Sequence, residues 1–160
     1  MGFDLHLAPI DKFPDWDEAQ WDAYWESNLA QDSEKLGNSS YVGLVLDCIT
    51  HNLESGRPGS TFPLLLRLDQ GDPPAWLRDE LHGLAEELGR VRAALRALPV
   101  SCSTLGCDSD KDLRQRVDWF EKRHGRPPQN LYDLCEHFVA TFEQMVRKAQ
   151  ETRHGVVASF

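Results

Sequence analysis

Three clusters along this chain combine residue types and spacings that could do chemistry. Asp47, His51 and Glu54 are spaced by four and three, which puts two carboxylates and an imidazole on one face of a helix. That set suits a metal ion or acid–base work, but it lacks H-E-x-x-H and any further ligand at matched spacing. A solvated row of polar side chains explains it more simply. The second cluster is "LESGRPGSTFPLLL", Leu53 to Leu66, where Gly56, Arg57, Gly59 and Ser60 suggest a phosphate cradle. A phosphate loop of that kind needs G-x4-G-K-[ST] between a strand and a helix. Here no lysine follows, and the order is helix, loop, extended segment. Gly56 is therefore expected to end the helix in a left-handed conformation, with Pro58 and Gly59 making a turn. The third cluster is Cys102 and Cys107 in "SCSTLGC". Zinc favours tighter pairs combined with a second pair or histidines, so a loop disulfide or two free thiols is expected. Cys48 and Cys135 fall on apolar helix faces and read as core residues. No G-x-S-x-G elbow occurs, and the histidines at 6, 51, 82, 124, 137 and 154 are scattered. No catalytic, cofactor-binding or metal-binding residue is assigned, and the chain is read as a non-enzyme with no cofactor.

Charge supplies the strongest functional hint. The 160 residues carry a formal net charge of −9. Nucleic-acid binding relies on Lys and Arg meeting phosphates, so nucleic acid is not expected as a partner. Arg90, Arg92 and Arg96 do cluster, but Glu86 and Glu87 lie one turn away. Between Asp11 and Glu34 there are eight acids and one base, Lys12. Asp15, Asp17, Glu18, Asp22 and Glu26 are the densest part, and they are expected to face a basic protein partner. No apolar run reaches the ~20 residues of a membrane span. The start, "MGFDLHLAPI", has neither the basic region nor the long apolar core of a signal peptide, and it alternates like a strand rather than reading as a myristoylation signal. Reduced thiols in a cytoplasm are the matching expectation.

The elements that must position these residues follow from periodicity. Phe3, Leu5 and Leu7 alternate as in a half-buried strand. "PDWDEAQWDAYWESNLAQD" reads as a helix capped by Asp15, with Trp21, Trp25 and Leu29 in one stripe. Ser39 or Ser40 is expected to cap a helix over Tyr41–Glu54, buried through Val42, Val45, Leu46, Ile49 and Leu53. "FPLLLRLD" is short and apolar, a strand or packed extended segment, with Pro63 arguing against a central strand. "QGDPPAWLRDELHGLAEELGRVRAALRALP" predicts a long helix capped by Asp72. Its stripe is Leu77, Leu81, Leu84, Leu88, Val91, Leu95 and Leu98, with Glu86 and Arg90 paired. A polar loop from Val100 to Asp110 precedes "DKDLRQRVDWFEKRHG", a helix ending at Gly125. Asn130 caps a final helix with Leu131, Leu134, Cys135, Phe138, Phe142, Met145 and Ala149 inside, and "HGVVASF" closes the chain as a strand. The sum is one α+β domain over residues 1–160, with four to five helices packed on a small sheet that includes the N-terminal and C-terminal strands.

Against this framework, the quoted loop resembles the signature of the immunity protein 70 family of bacterial polymorphic toxin systems, a run like L-E-G-G-K-x-G-S-R-F-P-x-L. Leu53, Glu54, Gly56, Gly59, Ser60, Phe62, Pro63 and Leu65 match it, Arg57 stands for its lysine, and Ser55 and Thr61 depart from it. "NSSYVGLVLDCI" occupies the place of the family's G-S-Y-x-x-F helix start, "NLYDL" is similar to its N-L-Y-E-S segment, and "VVASF" to its closing strand. The resemblance implies a cytoplasmic, non-enzymatic protein that binds and neutralises a cognate toxin domain; the acidic face adds the expectation of a basic, nuclease-like toxin. The alternatives are a small metal-dependent hydrolase using Asp47, His51 and Glu54, and a regulatory interaction module without a toxin partner.

Overall fold

A computed structural model of the chain describes residues 2–8, 17–28, 33–55, 57, 59–69 and 74–159, apart from the side chains of residues 21, 24, 25, 27 and 28. Helices pack on a four-stranded antiparallel sheet. The strands are β1 (Gly2–Ala8), β2 (Ser33–Asn38), β3 (Ala75–Trp76) and β4 (Gly155–Ser159), in the order β2-β1-β4-β3. The two strands nearest the chain ends are thus the central pair. Leu5 sits opposite Ala158 and Leu7 opposite Val156. Their face, with Leu36 of β2 and Trp76 of β3, joins the main core. The expected sharing of a face by Phe3, Leu5 and Leu7 holds.

Six α-helices lie among the described residues: α1 (Glu18–Asn28), α2 (Ser39–Leu53), α3 (Leu81–Arg96), α4 (Cys102–Leu105), α5 (Asp110–His124) and α6 (Leu131–Thr152). The one beyond the expected count is α4, a single turn inside the loop predicted at 100–110. The long helix α6 carries the core. Its seven predicted inward residues are all buried, as are Tyr132, Val139 and Val146. Phe142 meets the Trp76 ring edge-on at 5.2 Å. The α3 stripe from Leu81 to Leu95 is buried along α6, and Arg92 reaches Glu143 at 2.7 Å. Asn130 caps α6, and Gly125 ends α5 at φ +68, both as expected.

Several boundaries differ from the sequence reading. Asn38, not Ser39 or Ser40, caps α2, accepting the Tyr41 amide at 2.8 Å. Asn38 also ends β2, a strand with one buried residue, Leu36, and so too little alternation to be recognised. The Asp72 cap and the Trp21/Trp25/Leu29 stripe lie outside the described residues. The helix predicted to begin near Asp72 begins instead at Leu81, after a 3-10 turn at Arg78–Glu80. Ala75 and Trp76 are drawn into the sheet by β4, and the Ala158 amide donates to Pro74 at 2.9 Å. "FPLLLRLD" is neither strand nor extended: Leu65–Asp69 is a 3-10 helix. Glu86 pairs with His82 at 3.3 Å, while Arg90 lies over the Phe62 ring at 5.2 Å, in place of the expected Glu86–Arg90 pair.

On the other face of the central strands, His6 and Val157 are opposite one another and both are buried. The His6 Nε2 hydrogen-bonds Ser159 Oγ at 2.8 Å, bridging β1 and β4. Burial lowers the His6 pKa below its ordinary 6.5, and nearby Asp4 offsets this in part. The folded state therefore takes up this proton at lower pH than the unfolded chain does. Stability must fall as pH drops through 6.5 toward the folded value, then level off. A His6→Gln variant is expected to keep the strand bridge and lose that part of the decline, read as a smaller fall in melting temperature between neutral and mildly acidic buffer.

Candidate functional site

The loop after α2 is organised by a buried carboxylate. Glu54, 1% exposed, folds back from the helix end into the turn that follows. It accepts the Ser60 hydroxyl at 2.9 Å, the Thr61 amide at 3.1 Å and the Phe62 amide at 2.6 Å. The turn itself is closed by the Ser60 amide donating to Arg57 O at 3.2 Å, with Gly59 at φ +81. That is the positive φ a type II turn needs at its third residue. Gly56 and Pro58 lie outside the described residues. The left-handed residue at the helix end is Ser55, at φ 51. Leu53 is half-buried and Phe62 buried, whereas Arg57 and Pro63 are exposed.

A second carboxylate continues the pattern. Glu87, 5% exposed, accepts the Leu64 amide at 3.2 Å and the Leu65 amide at 2.8 Å. It stands at the start of the 3-10 helix, where amides lack intrahelical partners. The Trp76 indole donates to Leu64 O at 2.7 Å. Sequence reasoning weighed Glu87 only as an acid one turn from Arg90, Arg92 and Arg96. The overlooked signal is its position, since Leu84, Glu87, Leu88 and Val91 follow the i, i+3, i+4, i+7 period of the buried stripe.

The structure does not assemble Asp47, His51 and Glu54 into a ligand set. Asp47 is exposed, His51 Nε2 bonds Ser103 O at 2.9 Å, and Glu54 is turned onto its own loop. Among the described residues no group of three or more His, Cys, Asp or Glu is placed to hold a metal ion. All four cysteines are free: Cys48 and Cys135 are buried, Cys102 and Cys107 partly exposed. A hydrogen bond with Cys48, and burial, push the Cys135 thiol well up.

Two surfaces remain for a partner. The first is α1, opened by a reciprocal pair in which the Gln20 amide donates to Asp17 Oδ1 and the Asp17 amide to Gln20 Oε1, each at 2.9 Å. This is capping-box bonding with Asp17 as the cap; Asp15 lies outside the described residues. Asp17, Glu18, Asp22 and Glu26 are all exposed. The second is a groove of about 530 Å³ between α5, α6 and the β2–α2 junction, which sequence reasoning missed. Trp119, 49% exposed, forms one wall, and Arg123 lies 5.2 Å over its ring. On the opposite side His137 Nε2 bonds Lys35 O at 3.0 Å. Such a wall offers an aromatic surface to an apolar anchor.

The fold and loop therefore define an α+β protein in which two buried glutamates hold the connection between its second and third helices. No family model, curated protein or solved structure matches the chain. Among the described residues no helix is long and apolar enough to cross a membrane.

Burial alone would raise the Glu54 pKa, but the bonds from Thr61, Ser60 and Phe62 outweigh it and hold the group below its ordinary 4.5. Its contribution is full above that value and is lost as pH falls through the lower folded pKa. Glu54→Gln replaces one acceptor oxygen with a donor facing amides. It is expected to cost about 2 kcal/mol at neutral pH, since a buried amide loses its acceptor. Denaturant titrations at pH 7 and pH 3 check this: the variant's deficit should shrink at the lower pH.

Proposed function

We propose that this chain is an immunity protein that binds and neutralises a cognate polymorphic-toxin domain in the bacterial cytoplasm, without catalysing a reaction. The observation that carries this reading is that the signature residues are bonded to one another. Glu54 takes the hydroxyl of Ser60 and the amide of Phe62, while Gly59 supplies the turn between them. The matched residues thus form one interacting unit. Glu54 and Ser60 spend their polar groups on the loop, so these two serve as scaffold, and recognition falls to exposed groups.

The acidic face of α1 supports a basic toxin. Asp17, Glu18, Asp22 and Glu26 are exposed on one short helix. A nuclease toxin presents cationic surface to phosphates, and an acidic inhibitor helix can occupy that surface and speed encounter by steering. The hydrolase reading finds no comparable support, because Glu54 is committed to Ser60, Thr61 and Phe62.

Changing Asp22 and Glu26 together to Lys is expected to slow association with the cognate toxin domain by about tenfold or more at low salt, and to flatten the salt dependence. Both positions are exposed, so the variant's melting temperature should stay near that of the parent. Stopped-flow association at low and high salt reads the effect. An unchanged rate removes α1 from the interface, and absence of any binding by the parent chain overturns the immunity reading.

A further inference from the structure

The paired thiols of the α4 turn are used by nothing described above. Ser101 caps this turn, accepting the Thr104 amide at 3.2 Å, while Thr104 Oγ1 accepts the Ser101 amide at 3.0 Å. At the other end Gly106 has φ +62, and the amides of Gly106 and Cys107 both point to the Cys102 carbonyl, the second at 3.0 Å. In a closure of this kind, from the sixth residue back to the first, the side chains at the two ends commonly meet, and the Cys107 thiol lies near enough to act on Cys102. Those end residues are Cys102 and Cys107. Both thiols are free and partly exposed, whereas Cys48 and Cys135 are buried away from reagents.

We propose that Cys102 and Cys107 form a reversible intramolecular disulfide, which makes the α4 turn a site of thiol–disulfide modification.

The co-reactant is a small disulfide such as oxidised glutathione. The Cys107 thiolate attacks one sulfur of the reagent, its S–S bond breaks, and one glutathione thiolate leaves. Cys102 then attacks the Cys107 sulfur, releases its proton to solvent, and expels the second glutathione. Two protein thiols lose two electrons and two protons, and one reagent disulfide becomes two thiols. The order follows from the surroundings of Cys102. Its sulfur lies 3.5 Å from Ser109 O and 3.7 Å from Asp110 Oδ1. Its partial burial, then Asp110, raise its pKa and disfavour its thiolate, so it attacks second, once the mixed disulfide on Cys107 stands beside it.

The turn is also docked. Asn52 Nδ2 donates to Thr104 O at 2.8 Å, and His51 Nε2 bonds Ser103 O at 2.9 Å. A bond across the turn therefore holds α4 in the form that grips the last turns of α2, immediately before the Glu54 loop.

The test treats the reduced full chain with oxidised glutathione and follows intact mass and peptide maps. The expected product is lighter by about 2 Da, carries one Cys102–Cys107 bond, and reverts with dithiothreitol. Cys102→Ser is expected to trap glutathione at Cys107 several-fold faster than Cys107→Ser traps it at Cys102. Gly106→Ala meets no atom within 4 Å, so it perturbs only the left-handed backbone. It should leave both thiols titratable and slow ring closure several-fold. Stable glutathione adducts on both cysteines, no reaction, or a Cys48–Cys135 bond would overturn the proposal. Ring closure at the parent rate in Gly106→Ala would overturn its geometric basis.

Discussion

The structure depends on the capture of backbone amides by two buried carboxylates. The segment from Thr61 to Leu65 lies between α2 and α3, with Thr61 and Pro63 exposed and Phe62 and Leu65 buried. Four of its amides meet a glutamate oxygen: Thr61 and Phe62 on Glu54, Leu64 and Leu65 on Glu87. A buried amide without an acceptor costs more than its bond returns, so the segment settles where those acceptors stand. Because Glu54 ends α2 and Glu87 lies within α3, the loop also fixes the distance between the two helices. Trp76 on Leu64 O and Arg67 on Ala75 O extend the same brace to β3.

Around that brace the layers follow. Arg67 is held by both oxygens of Glu80, at 3.0 and 2.6 Å, and this bidentate pair steadies the turn that starts α3. α6 and α2 then pack on the sheet, with α3 laid along α6, and the middle strands of the sheet come from opposite ends of the chain. The last strand is buried from Gly155 to Ala158, so it holds the first strand on one side and the two-residue β3 on the other. The less tightly held parts lie outside this frame. α5 buries one residue fully, Phe120, which stacks on His124 at 4.2 Å, and it leaves Trp119 on the surface.

What the sequence determined by itself was much of what short-range periodicity and capping control, though it missed the Asn38 cap of α2 and the start of α3. The stripes of α3 and α6, the Asn130 cap, the Gly125 stop and the alternation of β1 all stand where the pattern put them. Each depends on neighbours within one or two turns. The acidic face of α1 and the turn at Gly59 were legible for the same reason. Tertiary structure decided the rest. Glu54 read as part of a solvated row and Glu87 as an acid beside a basic cluster, and the loop with unpaired amides gives both their buried role. Leu65–Asp69 became a 3-10 helix because Glu87 waits at its start, and Ala75–Trp76 left a helix pattern because β4 offered an open edge. The groove beside Trp119 and the docking of α4 on Asn52 join residues far apart in the chain. Local propensity carries no term for a partner that distant, so those features could be found only once the chain was folded.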